Sequence, residues 1–384
     1  MNPRSRFSVY LGRLFGIRFY LDPSWFLIAG LVTYTLSRDF SELLPGHGEP
    51  LYLLLGASVA ALFFSSILLH ELGHSLVSQR CGIPVPRITL LFIGGIAEIS
   101  REPDTARAEL KIAVAGPAVS AVLVLCYGTL AFVLHQMGLR EVAGIFRWLA
   151  LVNLGLIIFN AIPGYPLDGG RVLRALLWER TGNLRRATYI STRIGVGFSW
   201  LLIALGIAML GASVLTPMNF AWNAFVFLLI GVFLKRAAES GYRHTIYHEV
   251  LGGVRVRDLM TRAPAVIPAS LPLSLAVDEF FLVHHHVAYP VCGDTDEFRG
   301  LLRLEFLKDV PREKWPYLTA GDLAADQATI SLCIDSAEPA EKAMRRLLAP
   351  GQGRLAVVEN GRVTGMITRH DVLHFIKIHT ELET

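Results

Sequence analysis

Ser65-Ser66-Ile67-Leu68-Leu69-His70-Glu71-Leu72-Gly73-His74-Ser75 decides how the chain is read. It is an HExxH motif. On a helix, positions i and i+4 share a face, so His70 and His74 can grip one zinc ion. Glu71 follows, where a carboxylate could take a proton from water at that metal. The setting sharpens the signal. Residues 51–69 are apolar except for small Gly56, Ser58, Ser65 and Ser66. A helix from about Leu51 to Ser78 is long enough to span a bilayer, which puts both histidines in its far half. Ionisable groups at that depth are costly and usually functional.

Outward from the motif, six hydrophobic segments emerge, at about 22–37, 51–78, 109–135, 145–162, 192–212 and 219–235. Hydrophobic residues make up 53% of the 384, charged residues 18%, and mean hydropathy is +0.46. The apolar excess lies in residues 1–236, while 254–384 read as an ordinary soluble domain and 237–253 as a charged linker. The expected fold class is a polytopic α-helical membrane protein of about six spans, followed by a soluble α+β domain. A net charge of +4, without interleaved basic and aromatic residues, gives no reason to expect nucleic acid. Cys81, Cys126, Cys292 and Cys333 have no paired spacing and read as reduced thiols. The N-terminus reads as lacking a cleavable signal.

Lysine and arginine set the orientation. They crowd before the first segment, between the second and third, after the fourth and after the sixth; the opposite loops carry few. Both termini are expected in the cytoplasm of a cell (plasma or inner) membrane, with HExxH toward that side.

Between segments two and three, Gly82–Ser100 is rich in β-branched and aromatic residues around Gly94-Gly95, which reads as a membrane-associated β-hairpin. Ala115-Gly116-Pro117 in segment three reads as helix packing. Segment four runs into Asn160-Ala161-Ile162-Pro163-Gly164-Tyr165-Pro166-Leu167-Asp168-Gly169-Gly170. The prolines stop the helix, and the glycines are expected to turn the chain after Asp168. A carboxylate beside two imidazoles completes a three-ligand set with one open position. Downstream, two units of about sixty residues repeat a helix, strand, turn, strand and closing helix order. The run His284-His285-His286 reads as a helix end rather than a metal site.

These motifs, in this order, resemble the site-2 proteases, intramembrane zinc metalloproteases, over roughly residues 10–236. The resemblance implies one zinc held by His70, His74 and Asp168, with Glu71 as catalytic acid/base. It implies that Asn160 lies near the scissile backbone and that the Gly94-Gly95 strand receives substrate. Ser120 departs from the asparagine of many members. The C-terminal units resemble tandem CBS domains, which implies adenine nucleotide (ATP, ADP or AMP) at Thr368 and Asp371, and a homodimer through the CBS pairs. The function implied is cleavage of a membrane-spanning protein substrate within the lipid bilayer, in regulated intramembrane proteolysis. A CBS-gated transporter or channel, and an inactive metal-binding adaptor, are the alternatives.

Overall fold

The computed structural model describes residues 8–43, 46–92, 94–215, 220–325, 332–349 and 351–382. Two compact units result, Pro3–Arg243 and His244–Thr384.

The first unit is built on seven helices: α1 (Pro23–Leu43), α2 (Glu49–Arg80), α3 (Ala106–Gln136), α4 (Arg140–Asn160), α5 (Asp168–Thr181), α6 (Leu184–Leu215) and α7 (Ala221–Leu251). Among the described residues, α2, α3, α4, α6 and α7 are long and apolar enough to cross a membrane. Five of the expected spans thus meet that test of length and composition. Helix α1 stands where the first was expected, but Arg38, Asp39 and Glu42 dilute its apolar run. Residues 237–253, expected as a linker, are helical as far as Leu251.

Helix α2 is the spine. Its 32 residues extend about 48 Å at 1.5 Å per residue, beyond a hydrocarbon core of about 30 Å. Pro50 sits in its first turn, where a missing N–H costs nothing. Small residues bring its neighbours close. A Cβ on Gly56 would lie 3.0 Å from the Ser37 backbone N of α1, and one on Gly73 would lie 3.0 Å from the Ala115 carbonyl of α3. Large side chains such as Leu125 and Phe132 point outward and are 70% and 64% exposed, as suits a lipid-facing surface.

The expected hairpin is half of a larger sheet. Four strands run in the order β1 (Val9–Leu14), β2 (Ile17–Leu21), β3 (Arg87–Leu91), β4 (Gly94–Glu98). β2 and β3 pair in parallel, the other neighbours antiparallel. Gly94 and Gly95 open β4 rather than forming the turn. The sheet's inner face seats Ile17, Phe19 and Ile88 on Leu72 of α2, one residue from Gly73 in the HExxH turn.

In the second unit the repeat is visible as two sheets of like plan. One has the order β5 (Thr261–Arg262), β11 (Arg362–Thr368), β10 (Arg354–Glu359), β9 (Cys333–Ile334), and the other β6 (Ile267–Pro268), β7 (Ala288–Cys292), β8 (Phe298–Arg303). In each, a parallel pair adjoins an antiparallel hairpin: β9 with β10 and β11, and β6 with β7 and β8. Ile267, Leu273, Tyr289 and Leu302 anchor the core of the first repeat. His285 takes a left-handed C-cap position, ending its helix before the buried strand β7.

Candidate metal centre

The unbroken backbone hydrogen bonding of α2 puts His70 and His74 one turn apart, both buried. The third group arrives from 94 residues downstream. Helix α4 ends at Asn160, a loop containing Pro163 and Pro166 follows, and α5 begins at Asp168. Gly169 and Gly170 do not turn the chain after Asp168; they lie in the first turn of α5. A Cβ on either would overlap the backbone of the loop, at Ala161 and at the Gly164–Tyr165 peptide. Their role is close approach: the helix start seats directly on the loop.

The result is a convergence of three ligand atoms. His70 Nε2 and His74 Nε2 are each 3.2 Å from Asp168 Oδ2 and 3.2 Å from one another. Among the described residues this is the one group of three or more His, Cys, Asp or Glu side chains placed to share a metal ion. As a metal ligand Asp168 would act in its charged carboxylate form.

Helix α3 supplies the back wall. His74 Nδ1 donates to the Ile112 carbonyl at 2.7 Å, leaving the neutral ring with a bare lone pair on Nε2. His70 Nδ1 lies 2.9 Å from Ser120 Oγ. Between these two contacts sits Gly116, where a Cβ would overlap His74 Nε2 and come within 2.7 Å of His70 Nε2. Residues 112, 116 and 120 form one face of the helix at fourfold spacing. Gly116, expected as helix packing, is in fact the floor under both imidazoles.

Zinc fits this donor set. Three lone-pair atoms with few protons to share repel one another unless a cation lies among them. Their 3.2 Å separations approach the roughly 3.3–3.4 Å edge of a tetrahedron with bonds of about 2.0–2.1 Å. Imidazoles anchored through their second nitrogen are the usual support of such a centre.

Glu71 and Gly95 meet at the site's edge. A Cβ on Gly95 would overlap Glu71 Cγ and lie 3.2 Å from Cδ, so strand β4 passes against the carboxylate's stem. Asn160, the last residue of α4, is part-buried, and its side chain makes no hydrogen bond among the described residues. Thr368 and Asp371 lie in the other unit and are engaged with each other: Asp371 Oδ2 accepts from the Thr368 N–H and hydroxyl, both at 2.8 Å. They cap the helix Arg369–Leu382.

Sequence reasoning missed a buried charge cluster beside the centre. Arg174 of α5 donates through Nε to Glu109 Oε1 of α3 at 2.6 Å and pairs with the same oxygen through its terminal nitrogen. Their side chains are 3% and 0% exposed. The only sequence signal was a glutamate inside an apolar segment.

Comparison with known proteins identifies the family. The description "Peptidase family M50" matches residues 58–141 and 135–202, and "CBS domain" matches 256–305 and 327–378. The Synechocystis sp. protein named zinc metalloprotease sll0528 is 35% identical over 95% of this chain and 94% of its own. The chain belongs to peptidase family M50. The Mycobacterium tuberculosis protein named zinc metalloprotease Rip3 is 34% identical over 97% of this chain and 94% of its own. Among solved structures, the site-2 protease from Methanocaldococcus jannaschii is 27% identical, covers 61% of this chain and 94% of its own, and aligns with a TM-score of 0.41. The chain is thus an M50 metalloprotease, similar to proteins named zinc metalloproteases, that carries a CBS region and, among the described residues, five helices long and apolar enough to cross a membrane.

Proposed function

We propose that the chain hydrolyses a peptide bond in or near a transmembrane segment of a membrane-bound protein. The observation that carries this reading is the convergence of His70 and His74, on the spanning-length apolar helix α2, with Asp168 at the start of α5. Zinc held by these three side chains supplies Lewis acidity, polarising a carbonyl and making water more acidic. Glu71 acts as the acid/base: it takes a proton from the attacking water and delivers it to the departing amide nitrogen. The helix of the substrate must open first, because its carbonyls are otherwise held in internal hydrogen bonds. Strand β4 offers a way to hold the opened chain. It lies at the edge of the sheet, so an extended segment can add beside it, and Gly95 brings the strand against the Glu71 side chain. The Asn160 amide is available to orient the scissile backbone.

The working division is a metalloprotease domain at 1–236, a connecting segment at 237–253 and a CBS pair at 254–384. Charge asymmetry assigns both termini to the cytoplasmic side of the cell membrane. The CBS pair is assigned to adenine nucleotide, with Thr368 and Asp371 at the site and homodimerisation through the same domain. A cavity of about 330 Å³ in the same unit is lined by three cationic side chains, Arg303, Lys308 and Arg354, against one acidic one, Glu305, a balance that suits an anionic ligand; Thr368 and Asp371 are not in its lining. One terminal nitrogen of Arg303 is buried without a partner among the described residues.

The full chain reconstituted in liposomes with a single-span substrate tests the main reading. Cleavage should fall within or beside the span, stop with a zinc chelator and return with zinc. Products cut only in distant soluble loops would overturn it. Cysteine labelling should find positions 185 and 255 cytoplasmic and 215 external. Calorimetry with ATP, ADP and AMP should give heat that Asp371→Ala removes; no heat would strike out the nucleotide assignment.

A further inference from the structure

Two of the three proposed ligands come from one helix, so their spacing is fixed by local hydrogen bonding. The third comes from α5, a 14-residue helix whose place depends on what it packs against. Helix α3 is what α5 must be registered to, because α3 backs both imidazoles through the Ile112 carbonyl, Gly116 and Ser120. Between these helices lies the buried cluster. Arg174 reaches one Glu109 oxygen through two nitrogens, faces Glu102 Oε2 at 3.6 Å, and stacks its guanidinium 5.3 Å from the Tyr165 ring. Tyr165 belongs to the loop that ends at Asp168. Arg171 Nε is 4.0 Å from the same Glu109 oxygen.

The geometry is a two-point attachment. Position 109 of α3 meets 174 of α5, and seven residues on, 116 meets the ligand cluster that 168 completes. The helices run antiparallel, locked at one end by the ion pair and meeting the ligands at the other. An apolar contact tolerates sliding; a directed guanidinium–carboxylate contact between buried side chains does not. A slip of one turn, about 5.4 Å, would break the pair and withdraw Asp168 together. Glu109 Oε2 and one Arg174 nitrogen make no hydrogen bond among the described residues, so the cluster is not built for stability alone.

We propose that Glu109 and Arg174 are positioning residues for the third metal ligand, fixing α5 against α3 so that Asp168 reaches His70 and His74. This rests on the reading of those three side chains as the zinc ligands.

The test uses the purified full chain in detergent, with zinc affinity measured by competition against a chromophoric chelator and cleavage measured against free zinc. Glu109→Gln should weaken zinc binding by ~10–100-fold, the size expected when the support of a ligand is lost. Raising free zinc should restore its kcat, with substrate KM unchanged. Arg174→Lys keeps the charge but loses the fork, and should shift the same way by less; it serves if Glu109→Gln does not fold. Arg107→Ala removes an exposed α3–α5 pair with Glu179 and should change nothing. Wild-type zinc affinity and kcat in folded Glu109→Gln, or loss of activity that no zinc concentration restores, would overturn the proposal. Asp168→Ala separates the two levels. Should it bind zinc as tightly as wild type, the ligand reading fails. Should it lose zinc while Glu109→Gln does not, only the positioning role fails.

Discussion

Asp168 and Asp371 both sit in the first turn of a helix, and they spend their oxygens differently. Asp371 turns back on its own helix and accepts from the Thr368 N–H and hydroxyl. Asp322 does the same with Thr319, at 2.9 and 2.7 Å. These are closed capping arrangements that satisfy themselves. Helix α5 has no side-chain cap at Leu167, and the Asp168 oxygen instead faces two imidazoles at 3.2 Å. That arrangement is open: the oxygen faces side chains of another helix rather than its own backbone. What separates a ligand from a cap here is what the oxygen faces, not the residue type.

The comparison breaks most readily at Gly116. If the open cluster is a metal centre, Gly116→Ala drives a methyl group into His74 Nε2 and close to His70 Nε2. Displacement of about 1 Å at a reacting centre costs on the order of 100-fold in rate. Zinc content should fall and cleavage drop by at least that factor; full zinc and normal cleavage would mean the imidazoles do not meet there. Gly95→Ala is expected to act on the other half of the chemistry. Its Cβ would overlap Glu71 Cγ, so kcat should fall ~10–100-fold with zinc retained. Loss of zinc in that variant would place Gly95 in metal support instead. The smallest effect belongs to the closed arrangement. Thr368→Ala should lower the stability of the CBS unit by about 1 kcal/mol, the usual worth of a cap, and leave zinc content untouched. A change in zinc there would tie the capping pair to the metal centre.

HExxH could be read in advance because its geometry is local: four residues on a helix fix the ring spacing. Asp168 could be read because the Asp-Gly-Gly pattern carries the family resemblance. The spans were legible as apolar runs, although α6 and α7 continue past them on residues such as Arg185 and Tyr242 that runs of hydropathy exclude. Strands β1 and β2 were not legible because Arg13 and Arg18 read as topogenic charge, although Ile17, Phe19 and Leu21 alternate toward the buried face of the sheet. Ser120 was legible only as a departure from the family's asparagine, not as a partner of His70, and Glu109 was not legible as a site residue. Their partners lie 50 and 65 residues away, and only the packing of α3 against α2 and α5 brings them together.

Glu71 is the residue on which protease and mere metal binder part. Glu71→Gln keeps the volume and the fold of α2 while removing the base, so the purified variant should hold about one zinc per chain and cleave no membrane-spanning substrate. Wild-type cleavage by a zinc-loaded Glu71→Gln chain would contradict the account.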